Sequence, residues 1–319
     1  PVCTLADAKV MQADPSLFDK SLNLIWGGIA NHLEGKKRIF FSADGTFNHL
    51  AIEYLLYNGK PMAEQMEVYR LSTTKELCYN HPHAVPSRAM LYGGIDYNMS
   101  NASEKVVKQS LAAMRSGGDG EVVYETLGNT LREVNEISMV LQGKVKNVVI
   151  LKNDNASKNS FLQLSDTKTN ILHLATHGAY RSHKGITDVE SMNNSILAFA
   201  GANTEEDSEV SASEIAQMNL RTCDLVVLSA CESGLGKLGQ DGVYGLQRGF
   251  KNAGVNTLLM SLRTVNDAAT AELMVQFYRN LMSGMSKRKA LVEAQKALRA
   301  KGYTDAKYWA SFILLDALD

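Results

Sequence analysis

The sequence predicts an α/β fold with a mostly parallel, six-stranded sheet and helices on both of its faces. From residue 88 onward, short apolar segments alternate with longer segments that have helical character. The short segments are apolar throughout, which is typical of strands in a parallel sheet that is buried on both faces. With 319 residues, 45% of them hydrophobic and 21% charged, the chain has the composition of a globular protein with a substantial core.

The six predicted strands follow one another after residue 88, with helices between them. In chain order the strands are RAMLYGGIDY, NVVILKN, NILHLATHG, DLVVLSA, NTLLMSL and WASFILLD. The predicted helices are TLREVNEISMVLQG, SKNSFLQLS, SASEIAQMNL, GVYGLQRGFKNAG and two across residues 268–300. Polar residues over 97–126 and a variable stretch over 179–210 predict two long loops.

Residues 1–87 are organised differently and predict a smaller N-terminal segment. "RIFFSADGTFNHLAIEYLLYNGKP" indicates a strand, a turn at Asp44-Gly45 and then a second strand or a short helix. "MEVYRLSTTKEL" indicates a further strand and a helix start, and the turn-forming residues of "NHPHAVPS" end this part. We therefore expect a domain boundary near residue 88, with the α/β domain over residues 88–319.

Charge and hydropathy argue against two classes of partner. A net charge of −1 without a long basic run does not predict binding to nucleic acid or to an anionic membrane. The chain has neither a run of 18 apolar residues nor the basic-then-apolar start of a signal peptide. Because the first residue is Pro1 rather than methionine, we expect the chain to be a piece of a longer protein.

The cysteines indicate a reducing compartment. The four of them are spread irregularly along the chain, at Cys3, Cys78, Cys223 and Cys231. This spacing does not suggest a disulfide framework, so we expect a cytoplasmic protein.

One histidine and one cysteine leave predicted strands at the same edge of the sheet. The strand in "HLATHG" ends at His177, and the strand in "LSACESG" ends at Cys231. In open α/β sheets, ligands and catalytic groups collect beyond the carboxyl ends of the strands. An imidazole beside a thiol can take its proton or hold the thiolate, which a free cysteine forms only to a few per cent at neutral pH. The pair therefore predicts a thiol nucleophile with a histidine partner.

The glycines after the cysteine offer a competing interpretation. "GLGKLG" (Gly234, Gly236, Gly239) fits the G-x-G-x-x-G pattern of a dinucleotide-binding loop between a strand and a helix. Residues 231–233 delay the first glycine, however, and the next helix is expected to begin only near Val243, too late to point its N-terminus at a phosphate in the loop. We therefore favour the nucleophile and expect the glycines to form a flexible loop beside which a substrate backbone passes.

Two other side chains have structural interpretations. His173 and His177 form H-x-x-x-H, which on a helix would place two metal ligands on one face. On a strand, four residues span about 13 Å, so the two rings cannot share a metal ion. We therefore predict no metal site and expect His173 to lie in the core or behind the site. Cys223, which has no partner in the sequence, is also expected to be buried.

The paired motifs resemble those of the CHAT domain, a group of caspase-like cysteine peptidases related to separase and gingipain. "HLATHG" and "LSACESG" carry the resemblance, with Cys231 54 residues after His177, and caspases have their histidine about 50 residues before the cysteine. Similar segments also include "SADGTFNHLAIEYL", "LREVNEI", residues 241–284, "ALVEAQKALR" and "WASFILLD", so the resemblance covers roughly residues 38–318. It implies a caspase-like fold and leaves open whether residues 1–87 are part of a degenerate caspase-like half.

The resemblance also assigns catalytic roles to residues of this sequence. It implies that His177 is the general base and that Cys231 is the nucleophile. The backbone N–H groups of Gly178 and Cys231 would form the oxyanion hole, in which one donor contributes about 3–4 kcal/mol. The substrate would be a protein or peptide, with neither a cofactor nor a metal ion needed for the chemistry.

Four residues are implied to contact the substrate: Asp267, Arg263, Ser261 and Ser229. Arg263 stands where the family commonly has tryptophan, on the strand expected to run beside the substrate, so the shape of the subsite does not carry over from the family. Ser229 stands where caspases have a glutamine and metacaspases an aspartate, so neither specificity carries over. Asp267 matches an acidic residue that receives a basic side chain in separase-like relatives, which implies a preference for Arg or Lys before the scissile bond. The alternative for Asp267 is to cap a helix that begins at Ala268.

The sequence therefore predicts a cytoplasmic cysteine endopeptidase that acts through an acyl-enzyme. A dinucleotide-binding protein and an inactive caspase-fold scaffold are the alternatives, and the intact His–Cys pair argues against the scaffold. In this family the domain often follows tetratricopeptide repeats and serves in regulated, sometimes bacterial defence-related, proteolysis. The resemblance thus implies upstream repeats or an activating partner.

Overall fold

The computed structural model describes residues 30–79, 85–99, 123–181, 183–205, 207–230, 234, 236–239 and 242–318. Its strands are β1 Arg38–Ser42, β2 Leu56–Tyr57, β3 Lys60–Pro61, β4 Glu67–Leu71, β5 Arg88–Tyr92, β6 Asn147–Leu151, β7 Ile171–Leu174, β8 Gly178–Tyr180, β9 Ser195–Ala198, β10 Glu209–Ser211, β11 Leu225–Leu228, β12 Gly236–Gly239, β13 Gly242–Gly245, β14 Thr257–Ser261 and β15 Phe312–Leu315. Its α-helices are α1 Ala30–Leu33, α2 Met62–Gln65, α3 Thr130–Leu141, α4 Lys158–Leu162, α5 Asp188–Asn193, α6 Ala212–Ala216, α7 Leu246–Asn252, α8 Asp267–Met282, α9 Lys287–Ala300 and α10 Ala306–Trp309. Short 3₁₀ helices span Gly45–His49, Ile52–Tyr54, Thr74–Cys78 and Asn153–Asn155.

One large sheet organises the molecule. Eight strands lie in the order β1-β4-β15-β14-β11-β7-β5-β6. All neighbouring pairs are parallel except β14 and β15, which are antiparallel. Six of these strands are the six predicted from residue 88 onward, so the mostly parallel α/β fold is confirmed. The N-terminal segment adds β1 and β4 to the same sheet beyond β15, while the domain boundary near residue 88 stays a prediction.

The three central strands are buried at every position, as their unbroken apolar sequences predict. These strands are β7, β11 and β14. The parallel register pairs Leu228 of β11 with Leu174 of β7. Both chains therefore leave the sheet at the same edge and at the same height, which brings the segments after the two strands together.

The first strand after residue 88 is shorter in the structure than the sequence predicts. "RAMLYGGIDY" was expected to be extended throughout, but β5 ends at Tyr92. Gly94 follows with a φ of +63°, a left-handed conformation that glycine adopts readily. A Cβ atom on Gly93 would lie 2.7 Å from the Thr130 carbonyl oxygen, so the chain passes close against the start of α3.

The described part of the glycine-rich segment after β11 forms a hairpin. The prediction that the glycines form a flexible loop is therefore wrong for residues 236–239. Strands β12 and β13 pair antiparallel, with Gly236 opposite Gly245. A Cβ atom on Gly236 would overlap the Tyr244 carbonyl oxygen, so only glycine fits there. The helix expected from Val243 begins at Leu246 instead, because residues 242–245 pair as a strand.

Packing divides into one large core and a small N-terminal cluster. The large core surrounds the central strands and includes Tyr54 and Ala63 of the N-terminal segment. The small cluster consists of Leu33, Leu50, Ile52, Leu55, Met62 and Val68. Within the residues that the structure describes, we find no helix with the length and apolarity needed to cross a bilayer.

Candidate active site

His177 lies at the carboxyl edge of the central sheet. It follows β7 by three residues and directly precedes β8. The Ala198 backbone N–H donates to the His177 carbonyl oxygen at 3.0 Å, which fixes the main chain beside β9. The imidazole is therefore held at the edge where the sequence predicted catalytic groups.

The His177 ring has a defined orientation. Its Nε2 lies 2.7 Å from the backbone carbonyl oxygen of Glu125. Because a carbonyl oxygen can only accept, Nε2 carries the hydrogen, and Nδ1 of the neutral ring keeps its lone pair. The rings of Tyr97 and Tyr124 flank the imidazole, with centroids 5.1 Å and 5.4 Å from its own. This arrangement makes Nδ1 the proton-accepting atom.

The protonation state of His177 suits a general base. Burial lowers the pKa of His177 below its ordinary value of 6.5, and the Glu125 carbonyl and the Asp267 charge oppose this shift without cancelling it. The imidazole is therefore neutral near pH 7, the form that can accept a proton.

Cys231, the expected nucleophile, lies outside the described residues. The chain can be followed to Ala230, the residue before it. Ser229 donates its backbone N–H to the Leu174 carbonyl oxygen at 3.0 Å and so extends the pairing of β11 with β7. The chain therefore leaves β11 toward Cys231 at the same edge of the sheet at which it leaves β7 toward His177.

Ser261 contacts the residues before and after positions 231–233. Its Oγ donates to the Ala230 carbonyl oxygen at 2.6 Å. Its own carbonyl oxygen accepts the Gly234 N–H at 2.7 Å. The Ser261 side chain is completely buried, so its hydroxyl supports this segment, and the expected contact with substrate is not supported by its position.

Ser229 points away from solvent as well. Its Oγ donates to Oε1 of Glu133, a buried residue of α3, at 2.7 Å. His173 Nε2 lies 3.0 Å from the same oxygen, outside hydrogen-bond geometry. His173 is completely buried, which confirms its expected place in the core. Ser229 therefore belongs to a buried polar group beneath the site rather than to an exposed substrate surface.

Asp267 is the first residue of α8. The backbone N–H and the Nδ2 of Asn129 donate to its Oδ2, at 2.9 Å and 2.8 Å. The N-cap of α8 is Asn266, which accepts the Ala269 N–H at 3.0 Å, so the expectation that Asp267 caps a helix starting at Ala268 is wrong. Asp267 lies close enough to His177 to influence its titration. Among the described residues, both hydrogen bonds to this carboxylate fall on Oδ2.

The remaining expected residues take different places. Gly178 opens β8 directly after His177, opposite Leu197, and is half-buried. Its backbone thus stands beside the imidazole, as an oxyanion donor would require. Arg263 lies two residues after β14 and is also half-buried. Cys223 is buried, which confirms its expected burial, and burial raises the pKa of its thiol to about 12.

Sequence reasoning missed the three groups that hold His177. Every residue has a backbone carbonyl, so no pattern distinguishes that of Glu125. Tyr97 stood in a segment expected to be a strand, and Tyr124 in a segment expected to be an open loop. Only the folded chain brings these positions around the imidazole.

The dinucleotide-binding alternative finds no support in this geometry. The dinucleotide interpretation required the glycines to form a turn directly before a helix, whereas Gly236 and Gly239 lie in strand β12 of the β12–β13 hairpin. Across the described ranges, no group of three or more His, Cys, Asp or Glu side chains is arranged to hold a metal ion.

Relatives in sequence include a repeat protein. The CHAT domain family matches residues 20–317. Tetratricopeptide repeat protein 28 of Homo sapiens is 36% identical over 92 residues, which cover 28% of this chain and 4% of that protein. The Mus musculus protein of the same name is 34% identical over 92 residues. The match thus spans a small part of these long relatives.

Solved structures share the fold at low sequence identity. The Arg-specific cysteine proteinase gingipain R of Porphyromonas gingivalis has a TM-score of 0.57 and 10% identity, covering 92% of this chain and 66% of that one. Saccharomyces cerevisiae separase, in its complex with securin, has a TM-score of 0.51 and 12% identity, covering 86% of this chain and 15% of that one. With its caspase-like fold and a family match across nearly its whole length, the chain belongs to the CHAT domain family.

Proposed function

We propose that the chain is a cysteine endopeptidase with His177 as its base and Cys231 as its nucleophile. The observation that carries this proposal is the anchored imidazole. Its Nε2 is tied to the Glu125 carbonyl, and its Nδ1 is the basic atom at the edge toward which β11 leads Cys231. The CHAT family match and the fold shared with cysteine proteases support the same chemistry.

The proposed reaction has two halves. In the first half, His177 Nδ1 takes the proton from the Cys231 thiol, and the thiolate sulfur attacks the carbonyl carbon of the substrate. The backbone N–H groups of Gly178 and Cys231 stabilise the resulting oxyanion, and His177 returns the proton to the leaving amine. In the second half, a water molecule activated by His177 hydrolyses the acyl-enzyme.

The dyad is tested with two variants and one control. We expect Cys231→Ala or His177→Gln to lower peptide cleavage by about 10³-fold or more, with the thermal melting temperature preserved. Cys78→Ala removes an exposed cysteine of the N-terminal segment and is expected to leave cleavage unchanged. Cleavage by Cys231→Ala at the wild-type rate would refute the proposal. A thiol-directed probe should label wild type and Cys78→Ala at Cys231, whereas saturable NAD binding would favour the nucleotide alternative.

We also propose that Asp267 gives a preference for Arg or Lys before the scissile bond. Its carboxylate lies near His177, and Asn129 occupies only Oδ2 among the described residues. Oδ1 is then the atom placed to accept from a guanidinium or an ammonium group, and a charged pair of this kind forms strong hydrogen bonds.

The specificity proposal is tested with an isosteric change. Asp267→Asn keeps an oxygen that can accept from Asn129 but removes the negative charge. We expect kcat/KM for Arg-ended reporters to fall by about 10- to 100-fold, equivalent to roughly 1.4–2.7 kcal/mol, and cleavage of Leu-ended reporters to change little. Asp154→Asn makes the same change of charge at an exposed position and serves as control. An equal loss of kcat/KM on the Arg-ended and the Leu-ended reporters would contradict the proposed role of Asp267 in specificity.

The biological setting stays a proposal. The human and mouse relatives are named as tetratricopeptide repeat proteins, which supports a position of this domain beside such repeats. The repeats would bind the protein substrate or an activating partner. The expected cytoplasmic location and the role in bacterial defence remain predictions.

A further inference from the structure

The carbonyl that orients His177 belongs to a segment without a strand partner of its own. Residues 123–128 lead into α3, and in this described stretch the chain is neither helix nor strand. The Glu125 carbonyl can hold the imidazole only if this segment is itself fixed in place.

The side chain of Asn203 provides that fixation. Its Oδ1 accepts the Tyr124 backbone N–H at 2.8 Å, and its Nδ2 donates to the Tyr124 carbonyl oxygen at 2.8 Å. The second Nδ2 hydrogen points to Oδ1 of Asn98 at 3.0 Å. One carboxamide therefore engages both backbone groups of the residue before Glu125.

The backbone of Asn203 reaches the other side of the histidine. Its N–H donates to the Tyr97 carbonyl oxygen at 2.8 Å. Tyr97 and Tyr124 are the two rings that flank His177. Asn203 thus connects both residues that enclose the imidazole.

A second contact holds Tyr124 at its other end. The buried Tyr124 hydroxyl donates to Oε1 of Glu209, and Arg181 pairs with both oxygens of that carboxylate at 2.6 Å and 2.9 Å. The tyrosine is therefore fixed at its backbone by Asn203 and at its hydroxyl by Glu209.

We propose that Asn203 is a positioning residue for the dyad and, through Tyr124 and the Glu125 carbonyl, fixes the His177 tautomer that has its lone pair on Nδ1. This inference rests on the proposed endopeptidase function for its kinetic consequences. Its structural consequence, the tautomer of His177, does not depend on that function.

The chemistry of the carboxamide explains why an aspartate cannot replace it. The two hydrogen bonds to Tyr124 fix the orientation of the Asn203 side chain. Its Nδ2 must face the Tyr124 carbonyl oxygen as the donor, and its Oδ1 must face the Tyr124 N–H as the acceptor. A carboxylate at this position would present an oxygen to the Tyr124 carbonyl oxygen. Two facing acceptors repel, so the segment carrying Glu125 would move away.

The experiment compares Asn203→Asp with Asn159→Asp in the full chain. Asn159 is an exposed residue of α4, so its variant adds the same charge without changing these contacts. We expect Asn203→Asp to lower kcat by about 10- to 100-fold, since small misplacements of catalytic groups have effects of that size, with KM changed by less than about threefold. Asn159→Asp should cleave like wild type.

The second readout is the His177 ring in ¹⁵N-histidine-labelled protein. Long-range ¹H–¹⁵N spectra distinguish the two tautomers, and His177→Gln identifies the signal. We expect the Nε2–H tautomer in wild type and in Asn159→Asp, and a mixture of tautomers in Asn203→Asp. If the wild type cleaves no peptide, the endopeptidase proposal fails, but the spectra still decide the role of Asn203.

A graded variant covers the case in which Asn203→Asp unfolds. Asn98→Ala removes only the hydrogen bond from the second Nδ2 hydrogen. We expect it to lower kcat by about two- to fivefold, because a neutral hydrogen bond contributes roughly 1 kcal/mol or less in net terms. An unchanged His177 tautomer together with an unchanged kcat in a folded Asn203→Asp or Asn98→Ala protein would overturn the inference.

Discussion

At the scale of single residues, the protonation state of His177 decides how the proposed dyad would work. Burial lowers the pKa of this imidazole, which favours neutral His177 over the imidazolium of a preformed imidazolium–thiolate pair. A neutral His177 would act as a general base during the proposed attack. A preformed pair would instead hold the imidazole pKa above its ordinary value, because the thiolate charge stabilises the cation.

This difference predicts the pH dependence of cleavage. With its pKa lowered, His177 stays unprotonated to a lower pH than a free imidazole does. The acid limb of kcat/KM is therefore expected to have its midpoint below pH 6.5. Initial rates on an Arg-ended reporter across the acid range measure it. A midpoint well above pH 6.5 would indicate the preformed ion pair instead.

Single residues also show where sequence reasoning ends. The position of His177 followed from a strand motif, whereas the acceptor of its Nε2–H is a main-chain atom 52 residues earlier. The family resemblance implied that Ser261 and Ser229 contact the substrate. Their buried side chains instead bind the Ala230 carbonyl oxygen and the Glu133 carboxylate, which are contacts that only the folded chain brings together.

At the scale of elements, the β12–β13 hairpin is the feature that the glycine pattern concealed. It follows the expected nucleophile and packs against α5, where the buried Ser191 contacts both of its strands. Ser191 Oγ donates to the Tyr244 carbonyl oxygen at 2.6 Å and accepts the Lys237 N–H at 3.1 Å. An ion pair between Lys237 and Asp188 adds to this contact.

A single methyl group is expected to disrupt this hairpin. In Gly236→Ala the new Cβ would overlap the Tyr244 carbonyl oxygen, so the strands must separate. We expect a loss of about 1–3 kcal/mol in the free energy of unfolding, faster hydrogen exchange over residues 236–245 and slower cleavage. Gly128→Ala is the matched control, since nothing lies within 4 Å of a Cβ there. Equal exchange in the two variants would contradict the role of Gly236.

At the scale of the whole molecule, the N-terminal segment and the remainder share one sheet and several buried contacts. The Tyr54 hydroxyl donates to the Phe312 carbonyl oxygen at 3.0 Å, and the Ser72 N–H donates to Asp316 at 2.7 Å. The Tyr54 ring also packs edge-on against Trp309. We therefore expect the described parts on both sides of residue 88 to unfold together.

The buried ion pair of the N-terminal segment tests that expectation. Arg70 and Glu53 pair through two contacts of 2.6 Å and 2.8 Å, with both side chains almost fully buried. Breaking such a pair in Arg70→Met leaves a buried carboxylate without its partner. We therefore expect the free energy of unfolding to fall by about 3–5 kcal/mol. Arg38→Met breaks an exposed pair with Glu67 and should lower the free energy of unfolding by less than about 1 kcal/mol.

Two probes distinguish joint from separate unfolding in Arg70→Met. Cleavage activity reports on the region around His177, and a denaturant titration followed by circular dichroism reports on the whole chain. We expect the denaturant midpoint for the loss of activity and the midpoint for the loss of circular dichroism signal to shift together. Activity that persists after the N-terminal segment has unfolded would show two independent units.

The sequence by itself determined the six strands from residue 88, their mostly parallel arrangement and the edge of the sheet at which His177 lies. These properties follow from local patterns, because unbroken apolar runs and helical spacing are written in consecutive residues. The tertiary structure alone decided what surrounds the imidazole. The Glu125 carbonyl, the two tyrosines and Asn203 are distant in sequence from His177, and several of their contacts use main-chain atoms, which leave no mark in the side-chain pattern.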